Sequence, residues 1–294
     1  AAFVNFEWNL SEKTKLVTGI RGEKVNYEYE TNIEPGTKGR IQVSPNRDDD
    51  FTEFSPKLAI NHKINDELAI FANYSRGNRA PQTTDLYRIQ SKQIPGGAKS
   101  EKLDSLEIGL RGNFSIFNLE LVGFDMRKEN YFFRDSQGFN VENGKTTHRG
   151  FEINFLAEFN QFFQIENSTS FAEHEYDFDH SPNGIKSGNQ IDSAPELLAN
   201  TRFIFTPKER TRIELEWEKI DSYPVDERNA HFYKGHNVFN LRAKTPINEN
   251  LSIGIYVNNI TDKSYANRAD FAFGSYRYFV GQKREFYLML ESKF

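Results

Sequence analysis

The sequence contains no cysteine, and only two methionines and two tryptophans, in 294 residues. Without a thiol there is no disulfide framework, no thiolate nucleophile and no cysteine-ligated metal. Long hydrophobic runs are also missing. The best apolar stretch, Leu68–Ala72, falls far short of the roughly 18 residues that a spanning helix requires, so a helical membrane protein is excluded. A formal net charge of -5 leaves no basic field for nucleic acid. No basic segment followed by an apolar one opens the chain, and Ala1-Ala2-Phe3-Val4 reads as the interior of a longer protein whose signal peptide lies elsewhere. Aromatic residues are plentiful: 27 Phe and 13 Tyr argue against a disordered chain. A β-barrel stays open as a fold, because it hides its apolar face in alternate residues and remains polar on average.

Period-two alternation over about ten residues, the length of a tilted strand crossing a bilayer, dominates the chain. Leu106, Ile108, Leu110 and Phe114 alternate with Ser105, Glu107, Gly109 and Arg111; Phe151, Ile153, Phe155, Ala157 and Phe159 alternate with Glu152, Asn154 and Glu158, Leu156 being the exception. Ile213, Leu215 and Trp217 oppose Arg212, Glu214, Glu216 and Glu218. Strands are expected near 2–10, 14–30, 54–64, 67–76, 102–114, 117–133, 147–159, 162–177, 196–206, 210–222, 236–246, 250–259 and 283–294. Their joins alternate between tight turns and polar loops. The turns fall at Ser11–Lys13, Asn65–Asp66, Ser115–Ile116, Gln161, Pro207–Glu209 and Ile247–Glu249; the loops fall near 31–53, 77–101, 134–146, 178–195, 223–235 and 260–282. Short turns on one rim and long loops on the other are the pattern of an outer-membrane barrel. A soluble sandwich or propeller does not require that alternation. Lys63-Ile64-Asn65-Asp66-Glu67-Leu68 and Pro246-Ile247-Asn248-Glu249-Asn250-Leu251 occupy equivalent turns, as expected of a meander of hairpins.

Charges on a lipid face cost about 2–4 kcal/mol at mid-depth for Arg or Lys. The Glu214/Glu216/Glu218 side is therefore assigned to a wet lumen and Ile213/Leu215/Trp217 to acyl chains. On that assignment Trp217→Lys impairs membrane assembly, whereas Glu216→Lys is tolerated for folding. Tyr74, Phe163, Phe171 and Phe203 supply interfacial aromatics. In the final strand Phe286, Leu288, Leu290 and Phe294 share one face, which resembles the C-terminal signal read by the barrel-insertion machinery; Ser292 stands where an apolar residue is more usual.

Two stretches resemble TonB-dependent outer-membrane receptors. Phe54-Ser55-Pro56-Lys57-Leu58, Tyr74-Ser75-Arg76-Gly77-Asn78-Arg79-Ala80-Pro81 and Asp85-Leu86-Tyr87 are similar to the family's F-S-P-K strand and Y-S-x-G-F-R-A-P…E-L-Y segment, with Asn78 for an aromatic and Asp85 for Glu. Asn258-Asn259-Ile260-Thr261-Asp262-Lys263-Ser264-Tyr265 and Gly281-Gln282-Lys283-Arg284 look like the closing N-L-x-D-K-x-Y and G-x-P-R signature, with Lys283 for Pro. The resemblance implies the all-β, antiparallel up-and-down transmembrane barrel of 22 strands, of which residues 1–294 are the C-terminal portion with about thirteen, and an N-terminal plug that lies outside this chain. It implies active import of a scarce or bulky ligand, with ferric siderophores the commonest and cobalamin, haem and oligosaccharides the alternatives. The implied partners are the TonB energy-coupling complex, reached through the N-terminal part, the insertion machinery, and outer-membrane lipid with lipopolysaccharide. A passive porin-like barrel and a soluble all-β carbohydrate-binding protein are the competing classes.

Binding residues are expected on loops above a rigid scaffold. Arg79, Tyr87 and Arg88 in one long loop, and Tyr265, Arg268, Tyr276 and Arg277 in the last, can pair with carboxylate or catecholate oxygens or stack on rings. The aromatics of the last loop can equally form its own small core. In Glu173–His180 the carboxylates and the histidines alternate onto opposite faces, and Asp48-Asp49-Asp50 reads as a solvated run, so neither is assigned a metal. No cofactor is implied. Neither a phosphate loop, an H-E-x-x-H nor a G-x-S-x-G elbow occurs, and none of the histidines sits in a catalytic setting, so no enzyme is expected.

Overall fold

A computed structural model describes residues 1–39, 41–89, 97–208 and 210–292. The elements run β1 (Ala2–Asn9), β2 (Thr14–Tyr29), β3 (Gly36–Lys38), β4 (Ile41–Val43), β5 (Arg47–Lys63), β6 (Leu68–Arg79), α1 (Thr83–Leu86), β7 (Glu101–Asn113), β8 (Phe117–Arg134), β9 (Asn140–Glu158), β10 (Phe163–Tyr176), β11 (Leu197–Phe205), β12 (Arg212–Ile220), β13 (Tyr223–Pro224), β14 (Phe232–Tyr233), β15 (His236–Pro246), β16 (Leu251–Asn258), β17 (Ala266–Ala272), β18 (Ser275–Val280) and β19 (Glu285–Ser292). Thirteen of them form one antiparallel sheet whose order, β1-β2-β5-β6-β7-β8-β9-β10-β11-β12-β15-β16-β19, follows the chain. This is the expected meander, with β1 and β19 as its two edges. The remaining strands form the hairpins β3–β4, β13–β14 and β17–β18 inside long loops.

Register places every apolar set on one side. Leu106, Ile108 and Leu110 of β7 stand opposite Tyr74, Ala72 and Ile70 of β6, and Leu215 stands between Phe203 and Leu241. These outward side chains are exposed in the isolated protein: Ile108 at 61%, Phe203 at 46% and Leu288 at 69%. A greasy outer face with no closed interior is what a lipid solvent demands and what a soluble sandwich lacks. Phe286, Leu288 and Leu290 pair with Val257, Ile255 and Ile253 and extend the same face to the last strand; Phe294 lies outside the described residues.

The tight turns have a common chemistry. Asn65 Oδ1 accepts the backbone N–H groups of Glu67 and Leu68 at 2.9 and 2.8 Å, and Asn248 Oδ1 accepts those of Asn250 and Leu251, both at 2.9 Å. Asn160 does the same for Phe162 and Phe163. At these three reversals an Asn side chain thus substitutes for the backbone; at Ser11–Lys13 the Ser11 hydroxyl accepts the Lys13 N–H instead.

Three long loops contain the hairpins noted above, where irregular loop was expected, and two strands begin earlier than expected: β5 at Arg47 rather than 54, and β9 at Asn140 rather than 147. The reason is common to both. Apolar alternation marks only the part of a strand that touches hydrocarbon. Above it the ribbon continues on backbone hydrogen bonds, with polar residues such as Asp48–Asp50 paired in register with Asn26–Glu28.

Candidate functional site in the lumen and loops

The inward face of the sheet is polar. Glu216, 4% exposed, sits between two guanidiniums, Arg202 Nε at 3.2 Å and Arg242 Nη1 at 2.8 Å. It also accepts from Asn200 at 3.0 Å and Asn240 at 3.1 Å. Glu214 beside it takes Arg212 at 2.9 Å and Arg242 at 2.8 Å. Three strands, β11, β12 and β15, each present one row to this network because their register puts Arg202, Glu216 and Asn240 side by side. The assignment of Glu214 and Glu216 to a wet interior agrees with this packing. Their tight engagement was not legible in the sequence, and it argues against the expectation that Lys is tolerated at 216, because the ammonium would stand between Arg202 and Arg242.

At the other end of the sheet Arg21, Glu23, Tyr27, Glu53 and Arg79 line an inward cleft of about 530 Å³. Arg79, the last residue of β6, pairs with Glu101 at 3.0 Å, and Lys128 reaches the same carboxylate at 3.3 Å. Tyr87 follows the single turn of α1, whose Gln82 and Asp85 form a capping box. Its ring stacks on Tyr29 with centroids 4.6 Å apart, and its hydroxyl donates to Asp49 at 2.7 Å. Burial, then that bond to a carboxylate, raises the phenol well above its usual range. Arg88 comes next, half-buried. The structure therefore brings Arg79 and Tyr87 to the inward side of the β2–β5–β6 ribbons, together with Arg21 and Tyr27, which the sequence reading did not single out.

The last loop divides the other candidates. Cross-strand pairing of β17 and β18 sets Phe271 against Tyr276 and Asp270 against Arg277, so Tyr276 and Arg277 project from opposite faces of the hairpin. Tyr276 packs edge-on against Phe271 and His231, at 5.3 and 5.5 Å. That face continues into the small core of Tyr223, Val225 and Ala269, with Ile220, Tyr233 and Phe271 against it. Arg277 and Arg268 both pair with Asp270, the latter at 3.3 Å, and Arg268 lies over the Phe279 ring at 5.5 Å. Tyr265 packs on His236 at 4.6 Å, and its ring occupies the space a side chain at Gly281 would fill.

Polar contacts tie the loops near 134–146, 178–195 and 223–235 into one canopy. Ser136 donates from its backbone and hydroxyl to Glu227, Asn183 donates to Asp135 at 2.8 Å, and Asn229 exchanges bonds with Gln190. Burial pushes the Glu227 carboxyl up, against the bonds it accepts from its own backbone and from Ser136. Asp192, beside Tyr176, is raised by burial too. Of the two metal-like runs, Glu173 and His174 face opposite ways by register. No cluster of three or more His, Cys, Asp or Glu able to hold a metal exists among the described residues.

Alternating turn and loop lengths, a polar interior and an apolar exterior define an outer-membrane-type β-barrel. The sequence profile of the family described as TonB dependent receptor-like, beta-barrel matches residues 1–260, and the chain belongs to that family. It is a protein of the outer membrane, in a family of transport receptors rather than enzymes. The metal-pseudopaline receptor CntO of Pseudomonas aeruginosa is 20% identical over 269 residues, covering 88% of this chain and 36% of that protein. The structure of the ferric-catecholate import receptor Fiu from E. coli K12 matches with a TM-score of 0.79 at 19% identity, covering 99% of this chain and 44% of that one. The copper transporter OprC matches with a TM-score of 0.79 at 16% identity, over 99% and 48%. The chain thus spans less than half the length of these proteins.

Proposed function

We propose that residues 1–294 are the C-terminal portion of the barrel of a TonB-coupled receptor that imports a metal chelate, a ferric siderophore being the foremost case. A plug domain contributed by the rest of the protein closes the lumen and completes the binding site. The observation that carries this reading is the charged and phenolic lining of the inward cleft, where Arg21, paired with Glu23, and Arg79, paired with Glu101, meet Tyr27 beneath the loop that holds Tyr87. Guanidinium and phenol groups suit the anionic oxygens of catecholate, hydroxamate or carboxylate chelates. The similar proteins named above, a metal-pseudopaline receptor, a ferric-catecholate import receptor and a copper transporter, support a metal-bearing ligand.

The test is uptake of radioactive iron by cells that carry the intact receptor as their sole route for a defined siderophore. Import is expected to require both the receptor and TonB. Import that persists without TonB would identify a passive pore instead. Unchanged growth of a deletion strain on a panel of siderophores under iron limitation would remove iron as the cargo.

A further inference from the structure

Phe151 of β9 and Phe171 of β10 stack on the lipid side with ring centroids 5.5 Å apart. His148 and His174 lie an odd number of residues from them along the same strands, so both face the lumen, and register sets them directly opposite each other. Their Nδ1 atoms are 2.8 Å apart and share a proton. Nε2 of His148 is held by the hydroxyl of Thr146 at 2.9 Å, and Thr146 is buried. On the other side of His148, in the same row, stands Met126 of β8. Leu121 lines the outer face with Ile108 and Phe151, and the same alternation turns Met126 inward. All three side chains are half-buried. The row lies at the foot of the canopy, where Ile191 of the 178–195 loop donates its N–H to the His174 carbonyl at 2.8 Å.

Two imidazoles and a thioether on adjacent strands are all neutral donors. The β7 member of the row is Ser105, so no carboxylate belongs to it. In the inward row above, Lys128 stands opposite Thr146 and pairs with Glu101 at 3.3 Å. A hard, multiply charged ion finds no compensating anion here and a cation nearby. Thioether and imidazole are instead the donors that suit a soft, singly charged ion, Cu(I). The shared proton marks where such an ion can stand. Metal–imidazole bonds of about 2.0 Å need the two nitrogens roughly 3.3–4 Å apart, and the broad ring torsion of histidine supplies that opening of about 1 Å. Thr146 accepts the Nε2–H of His148 and so leaves its Nδ1 free as a ligand, the part an outer-shell group plays at a metal site. His174 presents Nδ1 by moving its proton to Nε2.

We propose that Met126, His148 and His174 form a lumenal site for one cuprous ion, bound as the bare ion and not within a chelate. This goes beyond the chelate-import reading, and binding is measured without transport, so either can fail alone.

The test is anaerobic titration of the intact receptor, extracted in detergent and washed with chelator, with Cu(I) in competition with a chromogenic cuprous chelator, followed by X-ray absorption at the copper edge. The wild type is expected to bind copper with both nitrogen and sulfur neighbours. H148Q combined with H174Q should lose one bound equivalent. M126L, close in volume, should keep the nitrogen signal, lose the sulfur one and bind more weakly. T146V, which touches no metal, should weaken binding by about tenfold to a hundredfold. Heat-modifiable mobility reports folding of each variant; if the double histidine variant does not fold, M126L and T146V decide. Absence of Cu(I) binding by the wild type, full binding by the folded histidine variant, or an unchanged spectrum in M126L would overturn the proposal. Displacement of Cu(I) by equimolar Zn(II) would overturn the assignment to a soft ion.

Discussion

Replacing Glu216 distinguishes a structural lumen network from a merely wet wall. Its side chain is 5% exposed and touches Arg202 and Arg242, which are 42% and 38% exposed. Glu216→Gln keeps the shape but removes the charge that two guanidiniums share. Charge-assisted bonds contribute about 1.5–3 kcal/mol each. Lumen water around the arginines discounts this, leaving a loss of about 2 kcal/mol. Glu216→Lys also adds a third cation. At an effective dielectric constant of about 20 and a separation of about 4 Å, each like-charge contact costs about 4 kcal/mol. Allowing for the same screening, the penalty rises to about 4–6 kcal/mol. The measurement is urea unfolding of the intact receptor in detergent, followed by heat-modifiable gel mobility. The order wild type, Gln, Lys is expected for decreasing stability. A Gln variant as stable as the wild type would show that the network adds nothing to the fold, and a Lys variant as stable as the Gln variant would refute the like-charge penalty.

Leu215→Lys, at the centre of the outward face of β12, should lose about 2–4 kcal/mol and assemble poorly. Trp217→Lys should assemble better than that, because Trp217 lies nearer the long-loop rim, where its indole donates to Asn237 at 2.9 Å; equal defects in outer-membrane yield would refute this depth assignment. Burial holds Glu227 above its ordinary carboxylate range, so the folded canopy binds a proton that the unfolded loop releases. Its contribution is full below the unfolded value, near 4.5, and declines as pH rises through the raised one. Limited proteolysis of loop 223–235 should accordingly speed up as pH is raised through that window, and Glu227→Gln should flatten the profile. Asn259→Ala removes the side-chain partners of three backbone groups and should cost about 2–4 kcal/mol in the same unfolding assay; Asn259→Gly loses the same bonds but accepts the positive φ readily and should cost somewhat less.

The sheet was legible because lipid imposes a strict period of two. Ile108, Leu215 and Leu288 have no other way to avoid water, and each appears where the alternation put it. The hairpins above the membrane were not legible, because Gly36–Lys38 and Ala266–Ala272 face water, protein and one another in no simple rhythm. Side-chain convergence was the least legible feature. Tyr276 and Arg277 are neighbours in sequence and point apart in space, whereas Arg21 and Arg79 are distant in sequence and share a cleft. Only register brings such residues together, and register across a long loop is not written in either strand alone.

The motifs that made the family recognisable act on the fold. Asn259, 1% exposed with φ of 50°, donates to the carbonyls of Lys263 and Gln282 and accepts the Lys263 backbone N–H, each at 2.9 Å. Asp262 accepts the backbone N–H of Arg284 at 3.1 Å. Together they fasten the exit of β16 to the entry of β19 and so set the height from which the last loop rises. Asn78, where the family's aromatic would stand, donates instead to the carbonyl of Phe54 and the hydroxyl of Ser55, another tie between neighbouring strands. Residues that hold a rim in place are compatible with any cargo, because they never touch it. We therefore expect the discriminating chemistry at positions that the signature leaves free, and Arg21 and Tyr27 of the inward cleft are such positions. Exchanging those side chains should change which chelate is imported while leaving the barrel's unfolding midpoint nearly unmoved, whereas exchanging Asn259 should do the reverse.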